Sequence, residues 1–320
     1  LLKKLALFAA FGPISTHALG VGFRTIDVPA GNDVPFKVAM WYPTESPADV
    51  HRLGPFTQTV AINGDIAGRK LALVVMSHGT AGWYGAQYDT AMALARAGFV
   101  VAAPTHSGDN IMDQSRSTQL ADRPLQIQLV IAYLLGPWSH HRRIDANRVG
   151  VYGFSAGALT ALIIAGGEPD LGMLAAHCRD HPEFFDCQLL RAHASSSPPM
   201  TTPTWIHDAH VKAVVVVAPA LGFTFVPNGL KRVTIPVQLW RASADHILPS
   251  PYYAEAVRDS LPIPPDYRVA EGADHLDFLP VCTSRLKVSS PDLCMDHGFD
   301  RLRFHKTFNE AVVAFFLRTL

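Results

Sequence analysis

Residues 149–164 read VGVYGFSAGALTALII. An apolar run, Val149 to Phe154, ends at a serine held between two glycines, and apolar residues resume at once at helical density. A buried strand that turns sharply into a buried helix produces this pattern. Gly153-Phe154-Ser155-Ala156-Gly157 is then a G-x-S-x-G turn. Side chains at 153 and 157 would collide with the flanking strand and helix. The turn is expected to lift the Ser155 hydroxyl above the sheet edge and to aim the Ala156 N–H into the same space. A serine hydroxyl attacks only when a base takes its proton. The other parts of such a site must therefore lie elsewhere in the chain.

Working outward, strand and helix patterns alternate. "VGFRTIDVP" and "PFKVAMWYP" read as strands joined by "AGNDV", followed by a polar loop from Thr44 to about Gly68. "KLALVVMSH", "FVVAAPTH", "VKAVVVVAPA", "IPVQLWRASAD" and "PDYRVAEGADH" read as further strands. "GAQYDTAMALARAG", "RPLQIQLVIAYLLG", "YYAEAVRDSL" and "FHKTFNEAVVAFFLRTL" read as helices, with Pro124 in a first turn and Gly98 past a last one. The expected class is α/β: a mostly parallel sheet covered on both faces, with an N-terminal antiparallel hairpin. One segment, 168–210, breaks the rhythm and is rich in His, Ser and Pro. A long irregular stretch in a compact domain reads as a lid-like insertion over a site.

The chain has 320 residues, 48% hydrophobic, which is enough to bury one large core over 19–320. Lys+Arg and Asp+Glu are both 27. With no basic excess to neutralise phosphates, nucleic acid is not an expected partner. Residues 1–18 pair a basic start (Lys3, Lys4) with an apolar run from Leu5 to Phe11 and small residues near Ala18. That is the pattern of a signal peptide, too short to span a bilayer stably, and it implies export to the periplasm or medium. The four cysteines fall in two close pairs. Three connectivities are open; Cys178–Cys187 with Cys282–Cys294 closes the shortest loops. His177 and His181 are four apart and His207 and His210 three apart, but no HExxH pattern accompanies them. No metal and no cofactor is expected.

The base should be a late histidine and the orienting acid should lie between it and the serine. His275 follows the last expected strand and Asp245 follows "IPVQLW", so both sit at carboxyl ends of parallel strands. His246, Asp274 and Asp277 are neighbours in sequence that compete for these roles. An oxyanion needs a second donor besides Ala156, and the N–H of Thr80, after "MSHG", is the candidate. His78 reads as structural, and Trp83 and Tyr84 as possible pocket residues.

The "SHG" turn, "GFVVAAPTH", "RVGVYGFSAG", the aspartate after "IPVQLW", the late "DH" and the early "VGFRTIDVP…VAMWYPT" together resemble an exported bacterial member of the platelet-activating-factor acetylhydrolase and dienelactone-hydrolase branch of the α/β-hydrolases. The resemblance runs from about Val21 to Leu320. It implies an α/β-hydrolase fold, serine chemistry, no metal, and small ester or lactone substrates. Two departures stand out. Dienelactone hydrolases carry cysteine where this chain has Ser155, and the acetylhydrolases take their acid from the strand after the elbow helix, where "VVVVAPALG" has no carboxylate. The expectation is an exported serine esterase acting through an acyl-enzyme on Ser155. A serine peptidase or amidase, and a non-catalytic binding protein on the same fold, are the alternatives. The sequence sets no oligomeric state.

Overall fold

The computed structural model describes residues 19–31, 33–193 and 203–320. Residues 1–18, read as a leader, lie outside the described residues, as do 194–202 of the irregular segment. Ten strands form one sheet in the order β10-β9-β8-β7-β5-β6-β2-β1-β4-β3. The centre is parallel: β5 (Leu71–Ser77), β6 (Val100–Pro104), β7 (Ile144–Phe154), β8 (Val211–Val217), β9 (Val237–Ala242) and β10 (Asp266–Ala270). The hairpin of β1 (Gly20–Ala30) and β2 (Asp33–Thr44) joins it antiparallel at β6.

Side chains alternate between two apolar layers, as the pleat requires. Leu73, Val75, Val151, Val214 and Val216 face one layer; Val74, Met76, Tyr152, Val215 and Val217 face the other. The first is closed by α2 (Asp122–Leu135), α3 (Ala156–Ile164) and α6 (Ala254–Ser260), the second by α1 (Tyr88–Arg96) and α8 (Arg301–Thr319). Val214, Val215, Val216 and Val217 are all fully buried. Each contributes on the order of 1.5–3 kcal/mol, which explains why β8 reads as an unbroken apolar run. The fold is that of the α/β-hydrolases.

The chain leaves β5 through α1 to β6 on one side, then returns through α2 to β7 on the other. β5 and β7 therefore flank a switch point, the place where open parallel sheets leave a crevice beyond their carboxyl ends.

Two stretches differ from the sequence reading. The loop expected after Thr44 contains a second hairpin, β3 (Asp49–Leu53) and β4 (Phe56–Ile62), with β4 parallel to β1. It is an edge hairpin with three of the five β3 residues exposed, so its apolar alternation is weak. The irregular segment holds two short helices, α4 (Met173–Asp180) and α5 (Phe185–Ala192), bridged by the Cys178–Cys187 disulfide. The short helix α7 (Ser284–Ser289) lies within the Cys282–Cys294 loop.

Candidate active site

Ser155 sits between the last residue of β7 and the first of α3 with φ +57° and ψ −118°. A non-glycine residue there is strained, and that strain persists only when the surroundings over-determine it. Here they do. The Ser155 N–H donates to the Val217 carbonyl at 2.9 Å, and its own carbonyl accepts from Ala158, Leu159 and Ala220. A Cβ on Gly153 would lie 2.0 Å from the Gly157 oxygen, and one on Gly157 would lie 2.0 Å from the Ser77 oxygen. Only glycine at both places lets the helix start this close to β5 and β7.

Asp245 and His275 follow β9 and β10, which are paired neighbours. His275 Nδ1 and Asp245 Oδ2 are 2.8 Å apart, with the two side chains only 3% and 6% exposed. A carboxylate can only accept, so Nδ1 is the donor; in the neutral ring Nε2 is then the nitrogen with the lone pair. The second oxygen of Asp245 accepts from the N–H groups of Ile247 (3.0 Å) and Leu248 (2.7 Å), which fixes the carboxylate. The competing residues are engaged elsewhere. His246 is exposed and bonds Asp274. Asp274 and Asp277 cap the turn His275–Phe278, and Asp277 pairs with Arg301.

The His275 ring packs on Phe154, centroids 4.9 Å apart, beside the serine. Among the described residues the Ser155 hydroxyl makes no hydrogen bond to that ring.

Ser155, Ala156 and Thr80 line one cleft. Among the described residues neither the Thr80 nor the Ala156 N–H donates a hydrogen bond. Ala156 opens α3, where the first N–H groups of a helix have no intrahelical partner and the dipole favours negative charge. The rest of the cleft is mainly apolar: Leu159 from α3, Leu174 from α4, Phe185 and Leu189 from α5, and Leu248. Two expected pocket residues are not part of this lining. Trp83 stacks near Tyr84 (4.7 Å) and fills the space over Gly54 and Gly85, and Tyr84 packs on the α1–α8 layer. Ala81, the residue after Thr80, has positive φ and is not part of the cleft lining either.

Behind the Thr80 turn lies a group of buried polar side chains, of which the sequence reading singles out only His78, as structural. Arg123 is 4% exposed and reaches Asp109 at 2.6 Å. His78 accepts the His106 N–H at Nε2 (3.0 Å), so its Nδ1 donates to the Gly79 carbonyl at 2.7 Å. Burial, helped by the Arg123 charge, drives its pKa down to about 3. His78 is a neutral strut rather than a proton carrier. His106 is likewise held neutral by burial, bridging Ser77 and Gln126. The only signals in sequence were "SH" at a strand end and a lone arginine opening an apolar helix.

His177, Asp186 and Cys187 are the cluster whose donor atoms come within 4.8 Å of one another among the described residues. Cys187 is committed to its disulfide, and His177 stacks on Phe223 at 3.7 Å. The second histidine pair lies apart from that cluster, His210 bonding Asp208 at 2.7 Å.

No protein-family model matches the chain, and no curated protein matches it in sequence. Among solved structures it is similar to a ferulic acid esterase from Streptomyces cinnamoneus, at 17% identity and a TM-score of 0.64. That match covers 97% of this chain and 92% of that one. At such identity the likeness speaks to the fold.

Proposed function

We propose that the protein is a serine esterase that cleaves small carboxylic esters or lactones through an acyl-enzyme on Ser155. The observation that carries this reading is the strained serine at the elbow, sharing a cleft with two residues whose N–H groups donate no hydrogen bond among the described residues, and a buried Asp245–His275 pair beside Phe154. Asp245 holds Nδ1 and so orients the ring for proton transfer at Nε2 in this reading.

In the proposed cycle His275 Nε2 takes the Ser155 proton as the oxygen attacks the ester carbonyl. Negative charge collects on the former carbonyl oxygen, and the Thr80 and Ala156 N–H groups receive it. The intermediate collapses, the C–O bond to the alcohol breaks, and imidazolium returns its proton to the leaving alkoxide. Water then repeats the sequence on the acyl-enzyme and releases the acid. Asp245 holds the tautomer and stabilises the imidazolium throughout. The leucine- and phenylalanine-lined cleft favours an apolar acyl or alcohol group. The ferulic acid esterase neighbour is in keeping with ester chemistry on this fold.

Residues 19–320 form the hydrolase domain in this reading, 168–210 cover the site as a lid, and 1–18 direct export. Two disulfides fit an oxidising compartment, and among the described residues no helix is long and apolar enough to cross a membrane. We place the chain near the acetylhydrolase and dienelactone-hydrolase branch, with serine as nucleophile. Ser155→Ala should abolish turnover of p-nitrophenyl butyrate and labelling by a fluorophosphonate while leaving the circular dichroism spectrum intact. A variant that keeps most of its activity would refute the reading.

A further inference from the structure

We infer that Arg123, anchored by Asp109, is a positioning residue that aims the Thr80 N–H at the developing oxyanion. The inference rests on the esterase reading of the same site.

The geometry begins with one peptide unit. Cis peptide bonds among the described residues occur only at Val226-Pro227 and Ser250-Pro251, so Gly79-Thr80 is trans. In a planar trans peptide the C=O and the following N–H point in opposite directions. Whatever grips the Gly79 oxygen therefore sets where the Thr80 N–H points. Three donors grip it: the Gly82 N–H at 3.1 Å, His78 Nδ1 at 2.7 Å, and Arg123 Nη2 at 3.2 Å. Arg123 Nη1 also takes the preceding carbonyl, that of His78, at 2.6 Å. One planar guanidinium thus fixes two successive carbonyls of the turn.

The guanidinium is itself held. Nε and Nη2 both meet Asp109 Oδ2, at 2.8 and 2.6 Å. The other oxygen of Asp109 accepts the Ala81 N–H at 2.9 Å. Asp109 thus grips the residue after Thr80, and Arg123 the two before it. Thr80 is the residue whose N–H is left unbonded between them.

Arg123 also borders the cleft, which would suit a cation that binds a substrate carboxylate. Its partners argue against that role. All three nitrogens are engaged, its charge is paired with Asp109, and only 4% of the residue is exposed. Lysine could not substitute, because a point charge cannot hold two carbonyls and a carboxylate in one plane.

The test uses Arg123→Lys, Arg123→Met and Asp109→Asn. Each is assayed for kcat and KM with p-nitrophenyl butyrate and for inhibition by a trifluoromethyl ketone, whose serine adduct carries an oxyanion. Removing one oxyanion donor typically costs 10²–10³-fold in kcat. Arg123→Lys should lose about 100-fold or more in kcat with KM within about threefold, and inhibitor affinity should fall by a similar factor. A purely structural role would lower the urea midpoint and leave kcat of the folded fraction and inhibitor affinity unchanged. Arg123→Lys with kcat within about threefold of the parent overturns the inference. It decides the matter if Arg123→Met does not fold. Failure of the esterase reading looks different: the parent protein itself would neither turn over the ester nor react with a fluorophosphonate.

Discussion

Replacing Gly157 with alanine puts a methyl group where the Ser77 carbonyl already stands. The new Cβ would lie 2.0 Å from the Ser77 oxygen, 2.5 Å from its carbon and 2.8 Å from the His78 oxygen. All three are backbone atoms, so no rotamer change relieves the clash. Restoring an ordinary contact of 3.4 Å means separating β5 from the start of α3 by about 1.4 Å. Those two elements carry the two proposed oxyanion donors, Thr80 just past β5 and Ala156 at the head of α3. A misplacement of about 1 Å at a reacting centre costs on the order of 100-fold in rate, or about 2.7 kcal/mol of barrier. Overpacking should also remove about 1–3 kcal/mol of stability. The assay is kcat/KM on p-nitrophenyl butyrate together with a urea unfolding curve. Gly98→Ala is the control. Unlike Gly157, Gly98 has positive φ (+98°), but nothing lies within 4 Å of its added Cβ and it does not line the cleft. That variant should lose a little stability and no activity. If Gly157→Ala kept the parent kcat/KM and urea midpoint, the close approach of helix and strand would not be what sets the donors, and the reasoning would fail.

Two further outcomes are expected. Opening the Cys178–Cys187 bridge with the double change to serine frees α4 from α5, costing that segment roughly 2–3 kcal/mol. Since Leu174, Phe185 and Leu189 line the cleft from those helices, KM for a butyrate ester should rise several-fold while kcat changes little; an unchanged KM would mean the helices do not hold substrate. The second outcome concerns pH. Burial opposes protonation of His305, but the Asp89 carboxylate at 2.6 Å raises its pKa above the ordinary 6.5. The same pairing, against burial, lowers the Asp89 pKa. A raised histidine pKa gives stability that is complete below its unfolded value and is lost as pH rises through the folded one. A lowered carboxylate pKa gives stability that is lost only in acid. The urea midpoint should therefore fall on the alkaline side of 6.5, and His305→Gln should flatten that limb. A parent midpoint independent of pH there would count against a charged pair.

How much of this was legible in the sequence follows from where each residue's constraint lies. The elbow, the central strands and the late histidine are set by local pattern: a glycine pair around Ser155, uninterrupted valines in β8, an aspartate and a histidine just past two strand ends. The β3–β4 hairpin escaped because edge strand β3 is largely exposed, and because one of the buried positions of β4 is filled by a glutamine, Gln58, which bonds Trp41. Helices α4 and α5 escaped because they are eight residues each. Such lengths are marginal without tertiary support, and a disulfide and a His177–Phe223 stack supply it.

Arg123 escaped for a different reason. Its partners are Asp109 and the carbonyls of His78 and Gly79, 14, 45 and 44 residues away. Carbonyls leave no trace in a sequence, so no motif could name them. The topology explains why they meet. β5 and β7 flank the switch point, and the crossover from β6 to β7 runs through α2, whose first turn holds Arg123. That helix start abuts the back of the β5 turn just as the α3 start abuts its front. One turn is thus pinned between two helix N-termini. In the proposed reading the α3 start supplies the Ala156 N–H, and the α2 start supplies the cation that orients Thr80. A parallel sheet can place groups from distant segments at one edge. In the proposed reading, setting the direction of a backbone N–H there takes a buried charge behind the turn, and the Arg123–Asp109 pair supplies it.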